Sequence, residues 1–424
     1  MNPKTKKIIV YISAAVFVTA MILLFLSMSG VPLANVRFFF RPEPEMPTRY
    51  LGEEKATADR EAVVMTSGCD TLDSDLKDVY DTIGEYANKS YAERFYVQCG
   101  HSDFSRVHRA YMADHPEIFW ISKDNTEYHY WDYGDSIEVE YDFAYEGDSL
   151  DEMKQELNDR VEKIMSEAPE KASDYGLELY FNDYLSNHVD YDKEKEGSMI
   201  RNSYGALIIG RAVCAGYSEG FQLLCNRAGI ECESVYGYIT QTDGDNNVTE
   251  ENNLHQWNCV KIDGDWYYTD VTWNDNGASS DMLAHAYFNI TYDEISKTRS
   301  FNPVYEDDPD WDRDTLFNVL SPKCEATEYN YYNKSCTVIS DLKDDDEIIA
   351  SIMKAAKEKK PCIDFRISGE LDFDSIKDDI ADNYVVYWTD AANFYNKDDP
   401  SIIHPKEMYY YGKTHCIVFD LNYK

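Results

Sequence analysis

Cys214, His255 and Asp270 are the residues whose types and surroundings point most directly to chemistry. Cys214 sits within GRAVCAGYSEG (residues 210–220), which leads into an apolar-faced helix predicted over Cys214–Ala228, with Gly229 as its stop signal. At the first turn of a helix, the macrodipole and the unpaired N–H groups favour a thiolate. The cysteine's own N–H can then point toward an oxyanion forming on an attacked carbonyl. Cys225 and Cys232 have no such help and read as small buried hydrophobes.

A base is available in HQWNCVKIDGDWYYTDVTW, residues 255–273. Asp263-Gly264 is a strong two-residue hairpin signal between two aromatic and β-branched runs. Pairing Ile262 with Asp265 across that turn sets Asp270 opposite Trp257 and His255 opposite Thr272. Side chains alternate with a period of two, so His255, Trp257, Asp270 and Thr272 share one face and the histidine and aspartate are diagonal neighbours. The carboxylate can accept from one imidazole nitrogen and leave the other for the thiol. Taken singly, a histidine is more often a surface or core-filling residue and an aspartate a strand-edge charge. Their joint placement on one face argues for a nucleophile, its base and an orienting acid.

The elements that must position these residues are predicted as follows. An amphipathic helix runs over Leu150–Ala172 (Met153, Leu157, Val161, Ile164), and helical register continues over Leu177–Val189. Strands follow the cysteine helix at Ser234–Thr240, Gln256–Ile262 and Trp266–Thr272. Upstream lies a small α+β unit with helices at Leu72–Ala87 and Ser105–Asp114 and strands around Tyr128–Tyr145. Downstream, strand at Cys336–Ile339, helix at Asp346–Lys359, strand at Cys362–Ile367, helix at Phe373–Asn383 and strands at Val385–Trp388 and His415–Leu421 make a small α/β domain. The expected organisation is an N-terminal membrane span (1–30), a proline-containing spacer (31–65), an N-terminal α+β domain (66–149), a catalytic domain (150–321) and a C-terminal α/β domain (322–424).

The order Cys, His, Asp, with CAGY opening a helix, HQWN on one strand and WYYTDVTW on the next, resembles the transglutaminase-like superfamily. The likeness covers residues 177–295, including FNDYLSNHVDYD before the cysteine and YFNITYDEI after the aspartate. It implies an α+β, papain-like core in which the cysteine-bearing helix packs on an antiparallel sheet. It carries the role of nucleophile to Cys214, of general base to His255 and of orienting group to Asp270. Gly216 and Tyr217 match the family motif and shape the first helical turn. Trp257 would shield the thiolate–imidazolium pair, although Trp257, Trp266 and Trp273 equally suit plain sheet packing. The oxyanion-hole side chain does not follow from the motif, and Tyr191 stands as its candidate. The implied activity is acyl transfer from an amide bond of a peptide or protein, cell-wall peptides among them, through a thioester. Hydrolysis is preferred over crosslinking to an amine. A catalytically silent binding or scaffold module is the alternative, and disulfide exchange is disfavoured because no CxxC is present.

Composition bounds the rest. With 79 acidic against 40 basic residues the net charge is −39, which repels nucleic acid. Lys4, Lys6 and Lys7 precede an apolar run without charge from Ile8 to Met28, long enough to cross a bilayer. The N-terminus is then cytoplasmic and the rest lies outside. A cleaved signal peptide ending near Ser27 and Ser29 is the competing reading. Pro42, Pro44 and Pro47 stiffen the spacer that follows. Ten cysteines admit bridges such as Cys69 with Cys99, Cys324 with Cys336 and Cys362 with Cys416, and none has zinc-site spacing. No cofactor is expected. Calcium is the one metal to weigh, at Asp243–Glu251 and Asp307–Asp314. The first stretch has Val248 and Leu254 where a calcium loop needs glycine and glutamate.

Overall fold

The alternating residues near Tyr128 form a hairpin. In the computed structural model, which describes residues 62–122, 127–169, 172–194, 197–240, 254–275, 284–301, 322, 324–334, 337–343, 345–396 and 402–424, three strands pair antiparallel in the N-terminal part. β3 (Ile137–Tyr141) lies between β1 (Phe95–Val97) and β2 (Tyr128–Asp132). Ile137, Val139 and Tyr141 turn inward. Helices α1 (Ser74–Ala87) and α2 (His101–Asp114) supply Tyr86 and Phe104 against Phe95.

Three helices lead to the central sheet: α3 (Gly147–Glu167), α4 (Asp174–His188) and α5 (Cys214–Arg227). The sheet has the order β6-β5-β4-β7, with β4 at Cys232–Ile239, β5 at Leu254–Ile262, β6 at Asp265–Thr269 and β7 at Arg299–Ser300. Every neighbouring pair is antiparallel. The β5–β6 turn forms at Asp263 and Gly264, both with positive φ (52° and 94°), the conformation a tight hairpin of matching twist requires. The register is the expected one, with Ile262 opposite Asp265 and Asn258 opposite Thr269. It stops there. Asp270 leaves the ladder to cap a helical turn at Val271–Asn274, so the expected pairing of His255 with Thr272 does not form.

α5 lies on this sheet through its buried face, which carries Tyr217, Phe221, Leu224 and Cys225. Burying each large apolar side chain contributes about 1.5–3 kcal/mol, before the entropy of ordering it is subtracted. Polar bonds fix the seat of the helix. Ser218 Oγ lies 2.9 Å from Ser234 Oγ and donates to the Trp257 carbonyl at 3.0 Å, and Asn258 donates to the Ser218 carbonyl at 3.0 Å.

The N-terminal and central parts share one hydrophobic core, while a second core gathers Ile348, Ile352, Phe365, Trp388 and Phe419. Around the second core, β8 (Val338–Ile339) runs parallel to β9 (Cys362–Ile367). β11 (Cys416–Asp420) pairs antiparallel with β9 and with β10 (Met408–Tyr411). The helices there are α6 (Asp346–Lys357), α7 (Phe373–Asp379) and α8 (Val385–Tyr395). The strand expected at Val385–Trp388 is therefore the start of a helix. Val385, Trp388, Ala391 and Ala392 recur at helical spacing and are buried, so core packing overrides the β-preference of that short run.

The apolar run Ile8–Met28, most of the spacer and both acidic stretches weighed for calcium lie outside the described residues. Among those described, no helix is long and apolar enough to cross a membrane, and no cluster of His, Cys, Asp and Glu has the makings of a metal site. Every described cysteine is a free thiol. Cys362 pairs with Asp420 and Cys416 with Arg366 at opposite ends of the β9–β11 ladder, which sets them too far apart for a disulfide. Cys69 and Cys99 are likewise unbridged, and Cys336 lies outside the described residues.

Candidate active site

Cys214 is the first residue of α5 and follows Val213 at the cap position. Such a residue has no intrahelical acceptor for its N–H. Gly216 permits the close packing of this turn, because a Cβ there would meet Ala212 Cβ at 2.8 Å and the Ile200 and Asn202 carbonyls at 2.8 and 3.0 Å. His255 projects from β5, and its Nε2 stands 2.7 Å from Asp270 Oδ2. The same imidazole is close enough to the Cys214 thiol to act on its ionisation.

The electrostatics follow from these contacts. Burial alone would raise the Cys214 thiol, but the hydrogen bond and charge of His255, together with a backbone bond from Gln256, hold it below its ordinary value. Burial would lower His255. The Asp270 charge and hydrogen bond outweigh it, with Cys214 adding to the effect, and His255 is pushed up to about 9. Burial would raise Asp270, yet His255 and Arg299 bring it down to about 2. All three shifts run toward the charged forms of these groups. Buried Cys225, Cys232 and Cys259 are all pushed up, which leaves Cys214 as the activated thiol among them.

The other expected site residues divide. Trp257 is buried and stacks on His255 with ring centroids 5.9 Å apart. Tyr191 is close enough to Cys214 and Asp270 for their charges, after burial, to raise its phenol. Tyr217 belongs to the scaffold, since its hydroxyl donates to the Val189 carbonyl at 2.7 Å and lies 2.5 Å from Asp275 Oδ2. It ties α5 to the segment before it and to the turn after Asp270.

Sequence reading missed two supports. Glu178 on α4 accepts from Thr269 Oγ1 at 3.2 Å and from Asn289 Nδ2 at 2.7 Å, and burial pushes it up to about 8. Burial thus favours its neutral form, and it is bonded to the residue next to Asp270. Arg299 on β7 reaches Asp270 Oδ2 itself, with Nη2 at 2.5 Å and Nε at 3.2 Å. The only signal in the sequence was FNITYDEI just upstream of it.

The model of the transglutaminase-like superfamily matches residues 161–271, a stretch that contains Cys214, His255 and Asp270. Those residues form a transglutaminase-like domain. Among curated proteins, this chain is 28% identical over 125 residues to kyphoscoliosis peptidase of Mus musculus, covering 28% of this chain and 18% of that protein. It is 28% identical over 94 residues to kyphoscoliosis peptidase of Homo sapiens, covering 21% of this chain and 14% of that protein. The chain thus spans under a fifth of the length of these relatives. A solved structure titled as a TGase shares 16% identity over 45% of this chain and 54% of that one, with a TM-score of 0.23. The transglutaminase-like assignment rests on the family match and not on that score.

Proposed function

We propose that this protein is a cysteine-dependent acyl-transfer enzyme acting on amide bonds of peptides or proteins, with Cys214 as nucleophile, His255 as acid and base and Asp270 as the orienting carboxylate. The observation that carries the reading is that one imidazole is held to Asp270 at 2.7 Å and also acts on the ionisation of a thiol at a helix N-terminus.

The Cys214 thiolate attacks the amide carbonyl carbon, and the resulting oxyanion meets the Cys214 N–H and the Tyr191 hydroxyl. Collapse breaks the C–N bond while His255 gives its proton to the leaving amine. A thioester remains. Water or a second amine attacks it and yields a proton to His255, and the C–S bond breaks to regenerate the ion pair. Trp257, packed on the imidazole, keeps water from weakening that pair. These steps draw on no cofactor. Hydrolysis is preferred over crosslinking, in line with the peptidase name carried by the mammalian relatives. The lysines and apolar run at the start of the chain support placing the protein at the cell membrane with its bulk outside, where cell-wall peptides are candidate substrates.

The test is to incubate the full chain with a peptide mixture and a labelled primary amine and follow products by mass spectrometry. New peptide carboxylates, absent with Cys214→Ala, are expected. Labelled amides would instead assign a crosslinking enzyme. Identical product sets with wild type and Cys214→Ala would overturn the enzyme reading in favour of a binding module.

A further inference from the structure

We infer that Arg299 is a positioning residue of this site: its buried guanidinium locks the Asp270 carboxylate and divides that carboxylate's charge between itself and His255. The inference rests on the Cys214–His255–Asp270 reading above and extends it to a residue beyond the family-matched stretch, which ends at residue 271.

Each oxygen of Asp270 has a fixed partner. Oδ1 accepts from the Trp273 N–H at 3.2 Å, which caps the helical turn. Oδ2 accepts from His255 Nε2 at 2.7 Å and from Arg299 Nη2 and Nε at 2.5 and 3.2 Å. The carboxylate cannot rotate without breaking one of these bonds. Arg299 is equally confined. Nη1 donates to Thr298 Oγ1 at 2.8 Å, and the guanidinium carbon lies 3.8 Å from the Trp273 ring centre and 4.8 Å from that of Tyr287. The side chains of both Arg299 and Asp270 have 0% exposure. Withdrawing an arginine from water is costly unless a partner offsets the lost hydration, so its presence here calls for a reason beyond packing.

The reason lies in the sequence of charges. Cys214 thiolate, His255 imidazolium, Asp270 carboxylate and Arg299 guanidinium alternate in sign and sum to zero. Without Arg299 the buried set would be net negative, and Asp270 would grip the imidazolium proton with its whole charge. The proton on the other ring nitrogen, which faces Cys214, must pass to the leaving amine, so an imidazolium stabilised too strongly is a poor acid. Also near this set are the Tyr191 phenol, itself within reach of the Arg201 and Asp192 charges, the Trp273 ring and the backbone of Gln256. The arginine arrives on the two-residue β7, paired to β4 by Ile239 with Arg299 and Tyr238 with Ser300. Gly237 leaves the space for that strand, since a Cβ there would sit 2.2 Å from the Ser300 carbonyl oxygen.

The experiment measures the rate of iodoacetamide modification of Cys214 against pH on the full chain, by peptide mass spectrometry, for wild type, Arg299→Gln and Arg299→Lys, with melting temperature recorded alongside. The wild-type profile is expected to show an acid step, where the thiolate forms, and an alkaline step near pH 9, where the imidazolium loses its proton. In Arg299→Gln the alkaline step is expected to rise by about one pH unit, because the undivided Asp270 charge falls on His255. In Arg299→Lys it stays within about 0.3 unit, since the charge is kept, while modification between the steps slows severalfold because one ammonium cannot replace the fork. Variants that lower the melting temperature but leave both steps and the intermediate rate unchanged overturn the inference and make Arg299 a purely structural residue. Should Arg299→Gln not fold, the slowed rate of Arg299→Lys carries the test alone, and an unchanged rate overturns it. A wild-type profile lacking the acid step would sink the triad reading itself, a result distinct from either.

Discussion

His255 and His285 are both buried, both bonded to carboxylates and both held well above the usual histidine range, at about 9 and about 10. They differ in what the second ring nitrogen meets. His255 has Asp270 on one side and the Cys214 thiol on the other, and its carboxylate is shared with Arg299. His285 has carboxylates on both sides, with Asp183 of α4 2.8 Å from Nε2 and Asp364 of β9 3.0 Å from Nδ1. Its ring stacks on Tyr331 at 3.9 Å, and Tyr332 donates to Asp364 at 3.0 Å. No nucleophile is left a place at this ring, and the cluster joins the central part to the C-terminal one. A buried histidine–carboxylate pair is thus not a catalytic signature by itself. On the proposed reading, a thiol and a counter-cation on the carboxylate mark a pair that passes a proton, and two carboxylates mark a latch.

The sharpest way to break this comparison is to remove each histidine in turn. His255→Ala is expected to cut amide turnover about 10³-fold or more, as loss of the base does in such triads. His285→Gln should leave turnover within a few-fold. Equal losses in two variants of unchanged melting temperature would erase the distinction.

Stability should show the reverse order. His285→Ala strands two carboxylates around one vacated cation site and is expected to cost about 3 kcal/mol in denaturant unfolding. His255→Ala should cost less, because Asp270 keeps Arg299. The pH dependence follows the same division. His285 is raised from 6.5 to about 10, so its contribution is full below about pH 6.5 and lost as pH climbs to 10. Asp270 is lowered from 3.8 to about 2, so its contribution holds above about pH 4 and is lost as pH falls through 2. Unfolding free energy measured across both windows, with His285→Gln reducing the alkaline loss to the part carried by His255 and leaving the acid window unchanged, checks the assignment.

The smallest expected effect concerns Tyr191. Tyr191→Phe should lower turnover about tenfold, less than the roughly 10²–10³-fold of a dedicated oxyanion donor, and leave thiol labelling unchanged. Slower labelling in that variant would place the phenol among the groups that activate Cys214 instead.

The cysteine helix, the hairpin turn and the His255–Asp270 contact were legible because each rests on local rules: a helix start, an Asp-Gly turn and a period of two. The contact nevertheless forms by another route than the extended strand supposed. The Asp270 side chain accepts from the Trp273 N–H, and that local competition ends β6 at Thr269, three residues short of the predicted Thr272. Arg299 and His285 were not legible, since both are brought in by tertiary pairing from segments without periodic signal. Val385–Trp388 misled for a related reason: four residues of a β-preferring run cannot show the helical spacing that the next four reveal.

The central claim is an activated thiol at Cys214, and the direct test is the pH at which each cysteine of the folded full chain reacts with iodoacetamide, in wild type and His255→Ala. The account predicts that Cys214 labels well below pH 8.5 and ahead of Cys225, Cys232 and Cys259, and that His255→Ala removes this advantage. Labelling of Cys214 only at the pH of an ordinary thiol, unchanged by His255→Ala, would contradict it.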